Sequence, residues 1–207
     1  MHTVEIPVGA FKAVALAAGQ QDIRYYLNGM LIEQAKDGLY LVATDGHRMH
    51  AMRVRQDVVL PVGAQVIVPN DAIAKVKPNR QMATLVVELA DDLRSGTLAY
   101  FGDRFTWVAS EGRFPDWRRV LPREAKPDGV GASVRPEYLV DVAKAAVLLG
   151  NKKGGDSVPQ LAFAGSHGAI RALIASQPEF VATIMPWSFR DTKKGKDITY
   201  PMPSWLV

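Results

Sequence analysis

The sequence predicts an α+β protein assembled from three copies of one helix-plus-β-meander unit, and three observations carry that reading. Segments with apolar residues at helical spacing start near positions 8, 70 and 136, about 60–66 residues apart. Each is followed by β-rich runs punctuated by turn pairs such as Asp-Gly and Gly-Asp. At 48% hydrophobic over 207 residues, the chain has ample material for a packed core.

In the first copy, Pro7 precedes a helix over 8–18, where Val8, Phe11, Leu16 and the alanines share a face and Gly19 supplies the stop. Strands follow over 25–34 and 39–44, joined at Lys36-Asp37-Gly38, and Asp45-Gly46 turns the chain into 47–54. The second copy opens with a strand over 65–68. Asn70 or Asp71 then caps a brief helix through Lys77 that Pro78 ends, followed by strands over 84–89, 97–101 and 104–109. The third begins at Ala132-Ser133-Val134 and places Pro136 at the first helical position. Its helix over 137–149 turns Tyr138, Val142, Ala145, Ala146 and Leu149 inward, with strands over 160–164, 169–174 and 180–185. One such unit cannot bury both a helix face and a sheet face, whereas two can pair, so three leave an odd unit with exposed apolar faces that predicts a homo-oligomer, the alternative being that the apolar end over 198–207 folds back on them and keeps the chain monomeric.

Lys and Arg number 25 against 21 Asp and Glu, a net charge of +4, which permits a polyanionic partner without demanding one. The absence of cysteine excludes disulfides, thiolate metal sites and cysteine nucleophiles. No run approaches the roughly 18 apolar residues of a membrane span, and residues 1–7 carry no export signal, which reads as a cytoplasmic protein without a membrane partner.

Asp45 and His47 are spaced like a catalytic pair, but Asp-Gly is hairpin chemistry and no nucleophile accompanies them. His2, His47, His50 and His167 lack metal-ligand spacing, and Asn151-Lys152-Lys153-Gly154-Gly155 lacks the frame of a phosphate-binding loop. The reading is therefore no catalytic residue, no metal and no cofactor. Gln21, Arg24, Tyr25 and Tyr26 lie where the first helix gives way to a strand. They either pair with phosphate and sugar, or the Tyr pair simply alternates across a strand with one ring in the core and one at the surface.

Residues 24–33 (Arg-Tyr-Tyr-Leu-Asn-Gly-Met-Leu-Ile-Glu), 41–49 (Leu-Val-Ala-Thr-Asp-Gly-His-Arg-Met) and 111–122 (Glu-Gly-Arg-Phe-Pro-Asp-Trp-Arg-Arg-Val-Leu-Pro) together resemble the bacterial sliding clamp, the DNA polymerase III β subunit family. Residues 134–142 and 175–177, with Ile184-Met185-Pro186-Trp187, are similar to the closing half of the last clamp domain. The resemblance implies a DNA clamp fold with helices inside and sheet outside. It divides the chain into a complete domain over 1–122 (half-units 1–60 and 61–122), a third half-unit over 123–187, and a charged linker with apolar tail over 188–207. On this alignment the chain lacks the first clamp domain and half of the last.

The function so implied is a DNA-tethering processivity factor. It holds double-stranded DNA without sequence specificity through Gln21, Arg24, Tyr25, Tyr26, Lys75, Lys77, Arg80, Lys144, Lys152 and Lys153. It docks a polymerase and a clamp loader by short peptides ending in bulky apolar residues. The matching pocket positions are Leu27, Thr44, Gly46, His47, Arg48, Met49, Pro115, Arg119, Val120, Met185, Pro186 and Trp187. Trp187 is larger than the residue usual there, and the net positive charge departs from commonly acidic relatives. A truncated relative that binds such peptides as a decoy, and an enzyme on an unrelated scaffold, are the competing readings.

Overall fold

A computed structural model describes residues 1–55, 57–77, 83–121, 132–150, 158–165 and 167–187. The elements run β1 (His2–Pro7), α1 (Val8–Ala15), β2 (Gly29–Ala35), β3 (Gly38–Thr44), β4 (Arg48–Val54), β5 (Gln65–Pro69), α2 (Asn70–Lys75), β6 (Thr84–Leu89), β7 (Ser95–Tyr100) and β8 (Asp103–Val108). The third unit contributes α3 (Pro136–Leu148), β9 (Pro159–Ala162), β10 (Ile170–Ile174) and β11 (Phe180–Ile184). Proline stands at each strand-to-helix junction, Pro7, Pro69 and Pro136. Its fixed φ suits a helix start, and its missing N–H costs nothing there.

Two antiparallel sheets result, one of four strands in the order β1-β6-β7-β8 and one of seven in the order β5-β2-β3-β4-β11-β10-β9. The first two units exchange their leading strands: β1 lies against β6 with Val4 opposite Val87, and β5 against β2 with Ile67 opposite Leu31. The sequence reading assigned no strand to residues 2–7, although Val4 and Ile6 are buried and alternate with exposed Thr3 and Glu5. The third unit joins by a seam, β11 against β4, with Ala182 opposite His50.

One core takes in all three helices and the inward faces of both sheets, including Phe11, Ile32, Ile73, Leu85, Val142 and Phe180. Gly9 is where α1 and α3 touch; a Cβ there would lie 2.1 Å from the Leu148 carbonyl oxygen, so only glycine permits the approach. The expected exposure of the odd unit is thereby corrected in part. Tyr138, Val142, Ile170 and Ala182 are buried because α3 covers its own sheet and packs on α1. What remains open among the described residues is the edge of β9 and an α3 face bearing Val140 and Val147, 50% and 47% exposed.

Strand β2 is buried on both faces, which explains its unbroken apolar run. Its outer face is covered by residues 110–121, which return across the seven-stranded sheet and set Phe114 and Trp117 against Leu31, Val42 and Ala51. Glu33 fastens this strap, accepting hydrogen bonds from Trp117 Nε1 (3.0 Å) and Arg118 Nη1 (2.7 Å). Element ends differ from the sequence reading by a few residues. The largest difference is at 25–28, a 3-10 turn (Tyr25–Leu27) rather than the start of a strand. Residues 132–135 are not part of a sheet among the described residues, and Arg135 has extended backbone angles.

Candidate functional site

Two turns, the strap and one strand end converge on the outer face of the seven-stranded sheet. The first turn, residues 20–28, is closed by Asn28, whose side chain accepts from Asp22 N (2.8 Å) and donates to Asp22 O (2.8 Å). Within it Arg24 donates to Asp22 from Nε (3.0 Å) and Nη2 (2.7 Å), and to the Asp45 carbonyl oxygen (3.1 Å). These hydrogen bonds from Arg24 hold the Asp22 carboxyl down at about 2. The second turn is built by Asp45, whose Oδ1 accepts from His47 N (2.8 Å) and Arg48 N (2.9 Å). Asp45 thus serves the backbone of its own turn. Gly46 sits at φ +87°, a conformation that favours glycine, and a Cβ there would lie 2.9 Å from the Arg24 guanidinium, which would have to shift.

Between these turns, the strap and the end of β11 lies a cavity of about 330 Å³. Its walls include Leu27, Thr44, Gly46, Arg48, Met49, Pro115, Val120 and Met185, all assigned to a peptide pocket from the sequence. They come from three segments far apart in the chain, and Met185 N donates to the His47 carbonyl oxygen (2.8 Å), joining the third unit to the first beside the opening. Leu27 and Met49 form the buried floor, while Val120 and Met185 are 44% and 41% exposed at the rim. An apolar floor with a few fixed polar groups suits a short apolar peptide end.

Other expected pocket residues lie elsewhere. His47 contributes its carbonyl oxygen but its side chain is exposed off the wall, and Arg119 points to solvent in an ion pair with Asp116 (3.7 Å). Pro186 and Trp187 lie beyond the rim, and Trp187 stacks against the Arg135 guanidinium at 4.1 Å. Arg48 is more a brace than a contact. It pairs with Asp141 of α3, donates to the Leu16 carbonyl oxygen (2.9 Å), approaches Asp45 (3.3 Å) and lies over the Tyr138 ring. The wall also contains Arg24, Tyr26, Asp116, Trp117 and Thr183. Arg24 and Tyr26 were assigned to DNA from the sequence, and Trp117 was visible within the 111–122 motif without a place in the pocket.

Of the residues expected at DNA, Gln21 and Tyr25 are exposed at the first turn beside Ile23, which is 96% exposed, while Arg24 is tied down as above. Lys75 and Lys77 are exposed at the end of α2. Lys12, which the sequence reading passed over, reaches from α1 to the Ile73 carbonyl oxygen (3.2 Å); burial and the neighbouring Lys77 charge lower its pKa. Lys144 is paired with Asp141 (3.0 Å). Arg80, Lys152, Lys153 and the 188–207 tail lie outside the described residues. Among the described residues no cluster of three His, Cys, Asp or Glu side chains could hold a metal, and no helix is long and apolar enough to cross a membrane.

Residues 8–116, more than half of the chain, match the family described as DNA polymerase III beta subunit, central domain. The beta sliding clamp of Escherichia coli K12 is 39% identical over 114 residues, covering 54% of this chain and 30% of the relative. That of Salmonella typhimurium is 35% identical over 149 residues, 70% of this chain and 38% of the relative. The chain therefore spans about a third of the length of these curated relatives. A crystal structure of DNA polymerase III subunit beta from Pseudomonas aeruginosa superposes with a TM-score of 0.73 at 20% identity, covering 91% of this chain and 67% of that one. The DNA polymerase sliding clamp from Bacillus subtilis gives 0.70 at 13% identity, over 91% of this chain and 64% of that chain. The fold is the clamp fold, and the match over α1 to the strap makes the chain a member of the DNA polymerase III β subunit family.

Proposed function

We propose that this protein acts without a chemical step, as a docking scaffold on DNA whose outer-face groove takes the apolar end of a short peptide from a replication or repair protein. The observation that carries the reading is the groove itself: residues from three distant segments, chosen from the sequence, converge on one cavity of about 330 Å³. Its dimensions suit two or three side chains rather than a folded surface. The domain division that goes with this reading is a paired-unit domain over 1–122 and a third half-unit over 123–187, with the groove spanning the two. DNA is held by the helix side, where Lys12, Lys75 and Lys77 gather positive charge, with Gln21 and Tyr25 at the exposed turn. Contacts of this kind go to phosphate and sugar, so affinity is independent of sequence and falls steeply with salt.

Titration calorimetry tests the groove. A Gln-Leu-x-Leu-Phe peptide is expected to bind with Kd of about 1–100 μM, and Met185→Ala to weaken it about tenfold. Equal affinity for a scrambled peptide overturns the assignment. Retention on circular DNA, compared with the same DNA linearised, separates a tether that encircles DNA from a relative that only binds peptides.

A further inference from the structure

The first two units show how this unit is completed. Each leading strand runs directly into its helix and pairs antiparallel with the first meander strand of the other unit, β1 with β6 and β5 with β2. The third unit carries both halves of such an exchange with neither used among the described residues. Its leading segment, residues 132–135, runs directly into α3 without a sheet partner, and its first meander strand, β9, is the outermost of the seven-stranded sheet.

The leading segment is nevertheless already seated. In the second unit Ser110 N, just past the last strand, donates to the Ile67 carbonyl oxygen (3.0 Å), three residues before α2. In the third, Trp187 N, just past β11, donates to the Ser133 carbonyl oxygen (2.7 Å), three residues before α3. The Arg135 guanidinium on the Trp187 ring adds a second tie, and Arg135 has extended backbone angles, φ −71° and ψ 123°. Residues 132–135 are thus held in the place of β5, with the opposite edge presented. Beside it, Val140, Ala143 and Val147 form an exposed stripe on α3 at spacings of three and four residues.

We propose that the third unit is a self-complementary interface: two copies of this chain exchange residues 132–135, each adding its segment antiparallel to the partner's β9 about a two-fold axis. The surface carries one strand to give and one edge to receive, which is what an isologous contact requires. A foreign strand filling the β9 edge would leave 132–135 unpaired. The register follows from the two pairs in place, where the residue before the helix meets the first residue of the receiving strand, Pro69 with Gly29 and Pro7 with Thr84. Arg135 then faces the partner's Pro159, Val134 the partner's Gln160, Ser133 the partner's Leu161, and Ala132 the partner's Ala162. Four residues meet four, and an edge otherwise open to aggregation is closed.

The chain has no cysteine, so introduced thiols report only on themselves. The full chain carrying Ser133→Cys with Leu161→Cys is expected to form a disulfide-linked dimer under mild oxidation, each single variant far less. Light scattering of the unmodified chain at about 100 μM is expected to give twice 22.6 kDa, and Gln160→Pro, which spoils the receiving edge, to restore the monomer with its circular dichroism unchanged. A monomer of the unmodified chain at that concentration overturns the proposal, whatever occupies β9 instead. So does a dimer in which the paired cysteines cross-link no better than either alone.

Discussion

Units one and two each surrender their leading strand to the other, whereas the third unit is attached by a single antiparallel seam, β4 with β11, by the packing of α3 on α1, and by side chains at its two ends. At one end Arg48 reaches from the first unit to Asp141 and Tyr138 of α3. At the other, Glu179 accepts from Arg53 Nε (2.6 Å) and Arg55 Nε (2.6 Å). The exchanged pair cannot separate without unpairing two strands on each side. The third unit can separate by losing one strand contact and part of a core, and the groove lies over that weaker joint. On the proposed function, a peptide seated there would touch both sides and would therefore stabilise the seam as it binds.

The largest expected effects come from the core on either side. Leu85→Ala, beneath the β1–β6 pair, and Phe180→Ala, at the start of β11, both remove fully buried side chains and should cost about 2–5 kcal/mol in urea unfolding. They should differ in reach. By amide exchange Phe180→Ala is expected to lose protection in β9, β10 and β11 first, and Leu85→Ala across all of β1 to β8 together. Uniform loss in both variants would erase the distinction between exchanged and seamed units.

Acid should act on the seam next. His50 is buried in β4 opposite Ala182, its Nδ1 at 2.8 Å from the Ala13 carbonyl oxygen, and burial lowers its pKa from 6.5 to about 4. The unfolded chain takes up the proton near 6.5, so the stability His50 contributes is complete above that pH and is lost as pH falls to about 4. The loss is on the order of 3 kcal/mol. His50→Asn, which keeps a donor without the titration, should flatten the stability curve between those values.

Arg48→Ala should cost about 2–3 kcal/mol, because among the described residues it leaves the largely buried Asp141 carboxylate with only Lys144, and it removes the tie between α3 and the Leu16 carbonyl oxygen. Peptide affinity should fall with it through the joint rather than through a lost contact, so high peptide concentration should restore stability. Glu179→Gln should give the smallest loss at neutral pH. Hydrogen bonds from Arg53 and then Arg55 hold this carboxyl at about 2, so its contribution is present above the ordinary glutamate range near 4.5 and gone below about pH 2. Wild type and Glu179→Gln should converge in strong acid.

The local elements were legible in the sequence and the long-range joins were not. Helix starts at Pro7 and Pro136, the Asp45-Gly46 turn and the alternation in β10 and β11 are written in neighbouring residues. The exchange of β1 with β6 is not, since Val4 meets Val87 across 83 residues of chain and nothing near either names its partner. The groove was readable because the family resemblance collected its segments. Trp117 and Thr183 escaped because their wall positions follow from the strap's anchorage on Glu33 and from the seam register. Arg24 was assigned to DNA phosphate from the sequence, and in the structure Asp22 and the Asp45 carbonyl oxygen hold it against Gly46.

The central claim is that one peptide is gripped at once by both sides of the seam. Amide exchange of the intact chain, with and without the saturating Gln-Leu-x-Leu-Phe peptide, tests it directly. The account predicts new protection in residues 44–49 of the first unit, 115–120 of the strap and 183–185 of the third unit, all three rising along the same binding curve. Protection confined to one of these segments, or absent from 183–185, would contradict a groove assembled across the seam.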